Sequence, residues 1–390
     1  MQQKYKKLLA LVPTEPEWKI DWDSIENSKL SSIIEKMKQT MQNPVWHGEG
    51  DVWTHTKMVC EALVHIPQFR ALEKHKQQEV FLAALLHDIG KVPCTKWEDG
   101  AWTSPNHTSV GAKMARELLW KEYGFCGEKS LQEFRETICN LIRYHSVPSH
   151  ILEQKNPELR LIKMASNGEL SPDFTIELLC ILVEADMRGR VYNDTEGSLE
   201  RLEICKETVR ECGCFQGPLE FPDAFSEYAY LSGRKILPGQ SIYDNTWGEV
   251  VMLCGLPGTG KDTFIKEKLS GYPVVSLDDL RMQMNISPKE EQGEIINAAR
   301  NVAKEHLRKK ISFVWNATNL TPVIRGKLVN LFASYGASVR IVFLETSWEE
   351  ELRRNRERKE QVPESVIENM LSYMVVPERM EAHRVEWHCV

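Results

Sequence analysis

The chain has 390 residues, of which 42% are apolar and 27% are charged, and its formal net charge at pH 7 is −7. This length favours two domains, and this composition is typical of a folded globular protein rather than of a disordered chain. No apolar run approaches the ~18 residues of a membrane span, and no wide excess of basic residues is present, so we expect neither an integral membrane protein nor binding of nucleic acid through a broad positive field.

The N-terminal segment and the cysteines both indicate a cytoplasmic protein. The segment MQQKYKKLLALVP contains only a short apolar stretch, too short for the hydrophobic region of a secretion signal. The ten cysteines are scattered and form no C-x-x-C pair, so we expect neither disulfide bonds nor cysteine-bound metal. We therefore predict a protein of the reducing cytoplasm, with no membrane partner.

The first part of the chain has the apolar spacing of helices. From about residue 24 to residue 232, apolar residues recur at intervals of three and four, and we expect no strand there. Turn-forming segments such as NPVWHGEGD and TSPNH separate the helical ones. We predict an all-α helical bundle over residues 1–232. Its helices are expected in ENSKLSSIIEKMKQTM, QEVFLAALLHDIG, VGAKMARELLWKEYG, LQEFRETICNLIRYH, DFTIELLCILVEADMRGR and SLERLEICKETVREC.

Histidine and aspartate residues in this part have the pattern of a metal site. The segment LLHDIGK places His87 and Asp88 side by side, and we expect both to lie on a helix and face one ion. His55 on an earlier helix and Asp186 on a later one complete an H…HD…D pattern. An aspartate buried after an apolar run is costly unless positive charge meets it, so Asp186 favours a bound cation.

Two further histidines extend the predicted site. His107 at a helix start and His145 after LIRY lie between the HD pair and Asp186 in the chain. Together they could hold a second ion with Asp88 as the bridge, and two ions about 3.5–4 Å apart can activate water and stabilise an attacked phosphorus. A purely structural role is the alternative for each of these two histidines.

Two basic residues follow the acids on the same helical faces. Lys91 lies three residues after Asp88, and Arg190 lies four residues after Asp186. Both can neutralise charge on a phosphoryl group, although Arg190 could simply form an intrahelical ion pair. His47 either lines the mouth of the site or packs in a turn.

This combination resembles the HD-domain metal-dependent phosphohydrolase superfamily over residues 40–195. The resemblance implies one or two divalent transition metal ions and hydrolysis of phosphomonoesters or phosphodiesters. It does not name the substrate.

The pattern changes after residues 233–248, which are rich in Gly, Pro, Asn and Ser and are predicted to be a linker. Beyond them, short β-branched runs alternate with helical segments, as in a sheet of buried parallel strands. We predict a P-loop α/β domain with a mainly parallel sheet over residues 249–390, with strands in VVMLC, PVVSL, ISFVWN and SVRIVFLE. The C-terminal EAHRVEWHCV is expected to form an edge strand or to dock a helix.

The segment GLPGTGKDT, residues 255–263, predicts a phosphate site. Gly255, Gly260 and Lys261 satisfy G-x-x-x-x-G-K, with Gly258 inside the loop, between an apolar strand and a helix. Glycines allow backbone N–H groups to turn onto a phosphate, the helix N-terminus adds partial positive charge, and Lys261 reaches the outer phosphates. We therefore expect ATP or another NTP as the donor, together with Mg²⁺.

Asp262 departs from the Ser or Thr expected after Lys261. A bare carboxylate beside a polyphosphate would repel it unless metal or water lay between them, so Mg²⁺ is expected nearby. Asp262 holds either the ion or its waters in this interpretation, and Thr263 is the nearest replacement hydroxyl. Direct ligation by Asp262 is left open.

The second predicted strand ends in VVSLDDLR, which places Asp278 at a strand's carboxyl end with Arg281 one helical turn on. A carboxylate there can take a proton from an attacking hydroxyl, and an arginine can clamp the acceptor's phosphate. The alternative is a helix cap with a solvated ion pair.

Two later segments are expected at the same crevice. Asn316, Thr318 and Asn319 end the third strand and are expected to face it. Arg354 and Arg358 are four residues apart, and like charges at that spacing cost about 0.2–0.5 kcal/mol, which favours an anion between them. A solvated face on which neighbouring glutamates neutralise the arginines is the alternative.

These residues resemble the phage-type polynucleotide 5′-kinases over residues 249–375, on the P-loop, DDLR, a TN strand end and an arginine segment followed by VP. The resemblance implies Asp278 as general base, Arg281 on the acceptor's phosphate, and Arg354 with Arg358 on the donor phosphates. Asp262 departs from the family pattern, as does Asn316, where these kinases often have Asp.

The order of the two parts resembles the bacterial HD-Pnk RNA end-healing enzymes over nearly the whole chain. The resemblance implies that the HD part clears 2′-phosphate or 2′,3′-cyclic phosphate ends and that the kinase phosphorylates a 5′-OH of RNA or DNA. The products would suit a nucleic-acid ligase. The alternatives are a small-nucleotide salvage kinase fused to a nucleotidase, and an NTP-sensing module that gates the HD site.

Overall fold

The structure is a computed structural model, and it describes residues 4–287, 290, 292–358 and 360–390. Contacts divide it into two compact units, one of residues up to 126 together with 130–219, and one of residues 127–129 together with 220–390. This division differs from the predicted boundary, because residues 220–232 belong by their contacts to the second unit. The role of 233–248 as a linker stays a prediction. Within the described part of the chain, no helix is both long enough and apolar enough to span a bilayer.

The first unit is helical, as the three- and four-residue spacing predicts. Its helices are α1 Lys4–Leu9, α2 Trp22–Glu26, α3 Ser31–Lys38, α4 Val52–Leu63, α5 Pro67–Arg70, α6 Lys74–Leu86, α7 Lys91–Cys94, α8 His107–Lys121, α9 Lys129–Tyr144, α10 Val147–His150, α11 Pro157–Ala165, α12 Ile176–Arg188 and α13 Thr195–Glu211, with 3-10 turns at Ile151–Glu153 and Ser166–Glu169.

A small hairpin interrupts these helices, and the expectation of no strand before residue 232 is therefore wrong. Strand β1 (Lys96–Glu98) pairs in antiparallel fashion with β2 (Ala101–Thr103). The turn between them is Asp99–Gly100, and both residues have positive φ, 51° and 80°. Asp-Gly is a favoured turn for a two-residue hairpin loop, but strands of three residues are too short to show an alternating pattern in the sequence.

Helix α12 is the core of the first unit and packs against α4, α6 and α13. It begins after Thr175, whose side chain caps the helix by accepting from the N–H of Leu178. Most of its residues are buried, and its polar residues that are not buried, Glu177, Glu184 and Arg188, lie along one narrow face. Burial of each large apolar side chain stabilises the fold by about 1.5–3 kcal/mol, and α12 therefore fixes the positions of its neighbours.

The second unit is an α/β domain. Its elements are α14 Ala224–Leu231, β3 Glu249–Cys254, α15 Lys261–Lys268, β4 Val274–Ser276, α16 Leu277–Gln283, α17 Gly293–Arg308, β5 Phe313–Asn316, α18 Pro322–Ser334, β6 Ser338–Glu345, α19 Trp348–Glu357, α20 Glu364–Tyr373 and β7 Arg384–Cys389, with a 3-10 turn at Arg379–Glu381.

The sheet of this unit is parallel throughout, which confirms the predicted fold class. Its strand order is β4-β5-β3-β6-β7. The first four strands in chain order match the predicted runs, and the C-terminal segment supplies the edge strand β7. Because the strands are parallel, the carboxyl ends of β3, β4 and β5 lie at one edge, where ligands bind in open α/β sheets.

Arg325 on α18 ties the C-terminal segment to the strand ends. Its side chain is fully buried and forms two hydrogen bonds with the carboxylate of Glu381, 2.6 and 2.7 Å long. The same guanidinium donates to the carbonyl oxygens of Asn319 at 3.0 Å and Val375 at 2.8 Å. Removal of one partner would leave the other charge buried and unpaired, which is strongly destabilising. This network therefore stabilises the second unit.

We expect the substitution Arg325→Met to lower the free energy of unfolding of the second unit by about 3–5 kcal/mol, because Glu381 loses its buried partner. Hydrogen exchange of the backbone amide groups of β3 and β6, recorded at increasing urea concentration, measures the free energy of unfolding of the second unit alone. The control Lys327→Met removes an exposed charge from the same helix and should change the value by less than about 0.5 kcal/mol. Equal effects of the two substitutions would contradict the assignment.

Candidate active sites

The turn after α6 carries the first two predicted ligands. Helix α6 ends at Leu86, so His87 and Asp88 lie in the turn between α6 and α7 and not within a helix as expected. Gly90 in this turn packs directly on α8, and a Cβ atom there would lie 2.0 Å from the carbonyl oxygen of His107. The absence of a side chain at Gly90 therefore allows the start of α8 to approach the turn.

Helices α4 and α12 bring two more predicted ligands to this turn. The Nε2 atom of His55 lies 3.1 Å from Oδ1 of Asp186 and 3.3 Å from Nε2 of His87. The Nε2 atom of His87 in turn lies 3.1 Å from Oδ2 of Asp88. All four residues are buried, so the H…HD…D set predicted from the sequence converges on one point.

His107 and His145 complete the cluster on the other side of Asp88. Their Nε2 atoms lie 3.6 and 3.9 Å from Oδ1 of Asp88, whereas Oδ2 faces His87 and Lys91. The two oxygens of one carboxylate thus face two different groups of side chains. This arrangement fits the predicted bridging role of Asp88 between two ions.

Three of these histidines are oriented by the backbone. The Nδ1 atoms of His87, His107 and His145 lie 2.8, 2.9 and 2.7 Å from the carbonyl oxygen three residues earlier in the chain. Donation of the Nδ1 proton to that carbonyl leaves the Nε2 lone pair free toward Asp88, which is how metal-binding histidines are usually held.

The electrostatics of the cluster also fit a cation. Oδ1 of Asp88 is buried and has no hydrogen-bond partner among the described residues. Burial opposes ionisation of this carboxyl, but the neighbouring side chains of His87 and Lys91 outweigh it and hold the pKa of Asp88 well below its usual range. Burial also lowers the pKa of His145 to about 3, so this imidazole is neutral and can act as a ligand. The donor set of imidazoles and carboxylates suits a divalent transition metal ion.

Both predicted basic residues border the cluster. The Nζ atom of Lys91 lies 2.8 Å from Oδ2 of Asp88 and donates to Oε1 of Gln42 at 2.6 Å. Arg190 forms a two-pronged ion pair with Asp186, so the ion pair considered as its alternative role is present. The side chain of Arg190 is 23% exposed, whereas that of Asp186 is 3% exposed, so the guanidinium faces the open side of the cluster.

Glu49 is a residue of this site that the sequence did not reveal. Its Oε1 atom lies 2.8 Å from Nδ1 of His55 and 2.9 Å from Nδ1 of His47, and its Oε2 accepts from the N–H of Val191. The Nε2 atom of His47 lies 3.4 Å from Lys91, which places His47 at the site. Burial of Glu49 opposes its ionisation, but the neighbouring side chains of His47 and His55 lower the pKa of its carboxyl. The only signal in the sequence was an acid six residues before His55.

The P-loop of the second unit connects β3 to α15. Gly255 has φ of 146°, and a Cβ atom there would lie 2.4 Å from the carbonyl oxygen of Leu344, so only glycine fits. The N–H of Gly255 donates to the carbonyl oxygen of Thr318, and Gly258 and Gly260 have φ of 92° and 82°. The loop therefore has the left-handed backbone turns that direct N–H groups inward.

Lys261 lies at the start of α15, and its side chain folds back over the loop. Its Nζ atom donates to the carbonyl oxygens of Gly255 at 3.0 Å and Leu256 at 2.6 Å. Burial lowers the pKa of Lys261 to about 8, with Asp262 as the main opposing charge. A polyphosphate bound to the loop would replace these carbonyl partners with stronger anionic ones.

Asp278 and Arg281 lie at the carboxyl edge of the sheet, after β4. Ser276 is the residue that caps α16, so Asp278 is not used as the cap. Arg281 donates to Oδ1 of Asp278 and, through Nε, to Oε1 of Gln292 at 2.9 Å. The side chain of Asp278 is 71% exposed, so this carboxylate remains accessible to an acceptor.

Helix α19 places its arginines beside the P-loop. A Cβ atom on Gly260 would lie 3.3 Å from Nη1 of Arg354, and Arg358 is close enough to Lys261 to lower its pKa. Arg354 also donates to Glu350 at 2.7 Å, so it takes part in the solvated salt bridges considered as the alternative. Contact with the loop distinguishes Arg354 from Arg353, whose partners are the surface residues Glu350 and Glu357.

Asn316 and Asn319, at and just after the end of β5, have different contacts. Asn316 donates through Nδ2 to Oδ1 of Asp262 at 2.8 Å, so the two departures from the kinase pattern are in contact. Asn319 is buried and donates to the carbonyl oxygen of Leu253 at 2.6 Å. It therefore supports the strand before the P-loop and does not face the crevice as expected. Thr263 is exposed on the first turn of α15.

A prediction follows from Glu351, a fully buried residue of α19 whose carboxylate oxygens have no hydrogen-bond partner in the described chain. Burial raises its pKa to about 8 from 4.5, so the folded state holds this proton more tightly than the unfolded state. The resulting stabilisation is complete below about pH 4.5 and is lost as the pH rises toward 8. In Glu351→Gln the side chain stays neutral and this loss is absent.

Between pH 5 and 7.5 the wild type should therefore lose stability relative to Glu351→Gln. The difference between their free energies of unfolding, variant minus wild type, should increase by up to about 1.4 kcal/mol per pH unit. The same hydrogen-exchange measurement of the second unit gives this difference. If the amide itself destabilises the variant, it lowers the free energy of unfolding equally at every pH and does not change how the difference depends on pH. Parallel pH curves for the two proteins would exclude a neutral Glu351.

A second prediction concerns Glu49, which holds His55 through Nδ1. We expect Glu49→Ala to lower the affinity of the cluster for a divalent metal about 10–100-fold, because His55 loses its orienting partner. Glu49→Gln keeps an oxygen acceptor and should retain more affinity. Metal content measured by mass spectrometry after dialysis against a graded chelator tests both. The control Glu61→Ala removes an exposed acid from α4, the helix that carries His55. An equally large loss of metal affinity in this control would contradict the role of Glu49 in orienting His55.

Comparison with known proteins supports the division into an HD domain and a P-loop domain. Residues 52–167 match the family model described as HD domain, and residues 250–377 match the AAA_33 model, described as AAA domain. The chain is 29% identical over 136 residues to L-seryl-tRNA(Sec) kinase of Methanococcus maripaludis. This match covers 33% of the chain and 53% of the relative, so the chain spans about half the length of that protein. The chain therefore contains an HD domain followed by a P-loop domain of the AAA_33 type, and part of it is similar to a kinase.

Proposed function

We propose that this chain heals the ends of broken polynucleotide strands. The second unit would transfer the γ-phosphate of an NTP to a 5′-OH, and the first would hydrolyse 2′-phosphate, 2′,3′-cyclic phosphate or related ends. The observation that carries the proposal is the presence, on one chain, of the cluster around Asp88 and of a P-loop with Asp278 and Arg281 at the same sheet edge. Adding and removing phosphate at one atom would be futile, whereas the two ends of one break need both reactions.

In the transfer reaction, Asp278 is suited to be the general base. Its exposed carboxylate takes the proton of the acceptor hydroxyl while the hydroxyl oxygen bonds to the γ-phosphorus. The bond between that phosphorus and the β-γ bridging oxygen breaks, and the nucleoside diphosphate leaves. Arg281 holds Asp278 and directs its remaining donors toward the acceptor's phosphate.

The donor is held by the loop and by α19. The backbone N–H groups of Gly258 and Gly260 and the Nζ atom of Lys261 would face the outer phosphates, and Arg354 would close over Gly260. Asp262 is the carboxylate beside these phosphates, and it fits the preference of Mg²⁺ for oxygen ligands. Magnesium bound there neutralises charge on the donor phosphates.

In the hydrolytic reaction, the four histidines with Asp88 and Asp186 would hold one or two divalent transition metal ions. Such ions lower the pKa of water and stabilise charge on an attacked phosphorus. Lys91 and Arg190 border the cluster and are suited to bind the phosphoryl oxygens. Addition of water across one P–O bond releases either inorganic phosphate or the opened cyclic ester.

The surroundings of the cluster favour a nucleotide as substrate. The rings of Trp46 and Tyr192 lie 6.5 Å apart, and Trp46 is 53% exposed. Trp46 directly precedes His47, and Tyr192 lies two residues after Arg190. Exposed aromatic rings beside a phosphate site can stack on bases. The related kinase is named for an RNA-linked acceptor, which supports an RNA end as acceptor here. The products, a 5′-phosphate and a free 2′- or 3′-hydroxyl, are the ends that a nucleic-acid ligase joins, so a ligase is the expected partner.

The test is end-labelling of a 5′-OH oligonucleotide with a γ-labelled NTP, beside release of phosphate from an RNA with a 2′-phosphate end. Loss of the base should lower transfer about 10²–10⁴-fold in Asp278→Ala, and Lys261→Ala should lower it as well. Metal-dependent phosphate release should be lost in Asp88→Ala and kept in Lys261→Ala.

The same assay separates the alternatives. Competition by free nucleosides would favour salvage of small nucleotides, and NTP binding without transfer to any acceptor would favour a sensing module. Full transfer by Asp278→Ala, or an inactive wild type, would exclude the kinase assignment. The control Asp244→Ala removes an exposed acid elsewhere in the second unit and should leave transfer unchanged.

A further inference from the structure

The contact between Asp262 and Asn316 suggests how this kinase site differs from other P-loop enzymes. In P-loop NTPases, the magnesium ion is held by a neutral hydroxyl on the loop and by an aspartate on a neighbouring strand. In this chain the loop position carries the carboxylate, Asp262, and the strand end carries the neutral residue, Asn316. The two kinds of side chain have exchanged places.

Asn316 is in the right position for this exchange. Strand β5 lies directly beside β3, with Val251 opposite Val314 and Met252 opposite Trp315. The residue after Trp315 therefore lies at the carboxyl edge, next to the strand that leads into the P-loop. From there the amide of Asn316 reaches Asp262 on the first turn of α15, and the hydrogen bond between Nδ2 and Oδ1 is 2.8 Å long.

Charge explains why the exchange must involve both positions. A second carboxylate in place of Asn316 would lie about as close to Asp262 as this hydrogen bond, and two carboxylates that close cannot both ionise easily. A neutral residue at both positions would leave the ion without a carboxylate ligand. One aspartate and one neutral partner keep a single negative charge at the site, and the amide N–H fixes the aspartate's direction.

We propose that Asp262 supplies the carboxylate that binds the donor's magnesium ion, and that Asn316 positions it, so that the magnesium site of this kinase is transposed between loop and strand. The inference rests on the proposed transfer from an NTP and specifies which residues of this chain bind its metal. Asp262 is then the residue that makes NTP binding depend on magnesium, because its charge repels a metal-free polyphosphate and attracts the ion.

Calorimetric titration with ATP, in Mg²⁺ and in a chelator, tests the proposal through the metal gain, defined as the Kd without magnesium divided by the Kd with it. The variants are Asp262→Ser, Asp262→Asn, Asn316→Asp and the double substitution Asp262→Ser with Asn316→Asp. We expect each substitution of Asp262 alone to lower the gain at least 10-fold, while metal-free ATP binds more tightly because a repulsive charge is gone. The double substitution returns the carboxylate to the strand and should recover the gain to within threefold of the wild type.

The control is Glu267→Gln, which removes one negative charge from an exposed position of the same helix and should leave the gain unchanged. An unchanged gain in Asp262→Ser, or no recovery in the double substitution, would overturn the proposal. A merely structural role of Asp262 predicts weaker binding both with and without magnesium, which would also overturn it. If the wild type bound no ATP with or without magnesium, both the proposed transfer from an NTP and the transposed site would be wrong. If the wild type bound ATP more tightly with magnesium and the variants showed the same metal gain, only the transposed site would be wrong.

Discussion

A carboxylate that leaves bulk water must meet positive charge, and both units of this protein are arranged around carboxylates that do so. In the first unit, Asp88 and Asp186 are buried and contacted by four imidazoles, a lysine and an arginine. In the second, Glu381 meets the buried guanidinium of Arg325. The helices and strands can be understood as the means of holding these charges in place.

The two units solve this problem with different kinds of scaffold. Helices α4, α8 and α12 and the turns after α6 and α9 each contribute part of the cluster around Asp88, so its geometry depends on tertiary packing about α12. The phosphate site depends mainly on a single loop and on the parallel sheet that brings three strand ends to one edge. Backbone groups supply much of the second site, whereas side chains supply almost all of the first. A substitution in the helical core is therefore expected to affect the cluster more readily than a substitution in the sheet affects the loop.

The sequence was sufficient for features that depend on one element or on a fixed spacing. The helical first part, the first four strands of the sheet in chain order and the P-loop all follow from local pattern. The six candidate metal ligands were singled out because His and Asp beside apolar helical runs have few other uses. It was insufficient for contacts between distant segments. The bond from Asn316 to Asp262 and the place of Glu49 beside His55 depend on tertiary distance. The hairpin after α7 was missed because its strands are too short to show an alternating pattern of apolar and polar residues. The orientation of Asn319 was predicted wrongly because a polar residue after a strand can bond to a neighbouring backbone carbonyl as well as to a ligand.

The absence of a side chain at Gly90 has a consequence for the geometry of the cluster around Asp88. The start of α8 lies so close to this residue that one extra methyl group would push the helix outward, and His107 is its first residue. His55 and Asp186 lie on α4 and α12, which do not contain Gly90. A side chain at residue 90, which contacts no ligand, would therefore shift His107 relative to these two residues. The distance from His107 to Oδ1 of Asp88 thus depends on the small volume of a glycine.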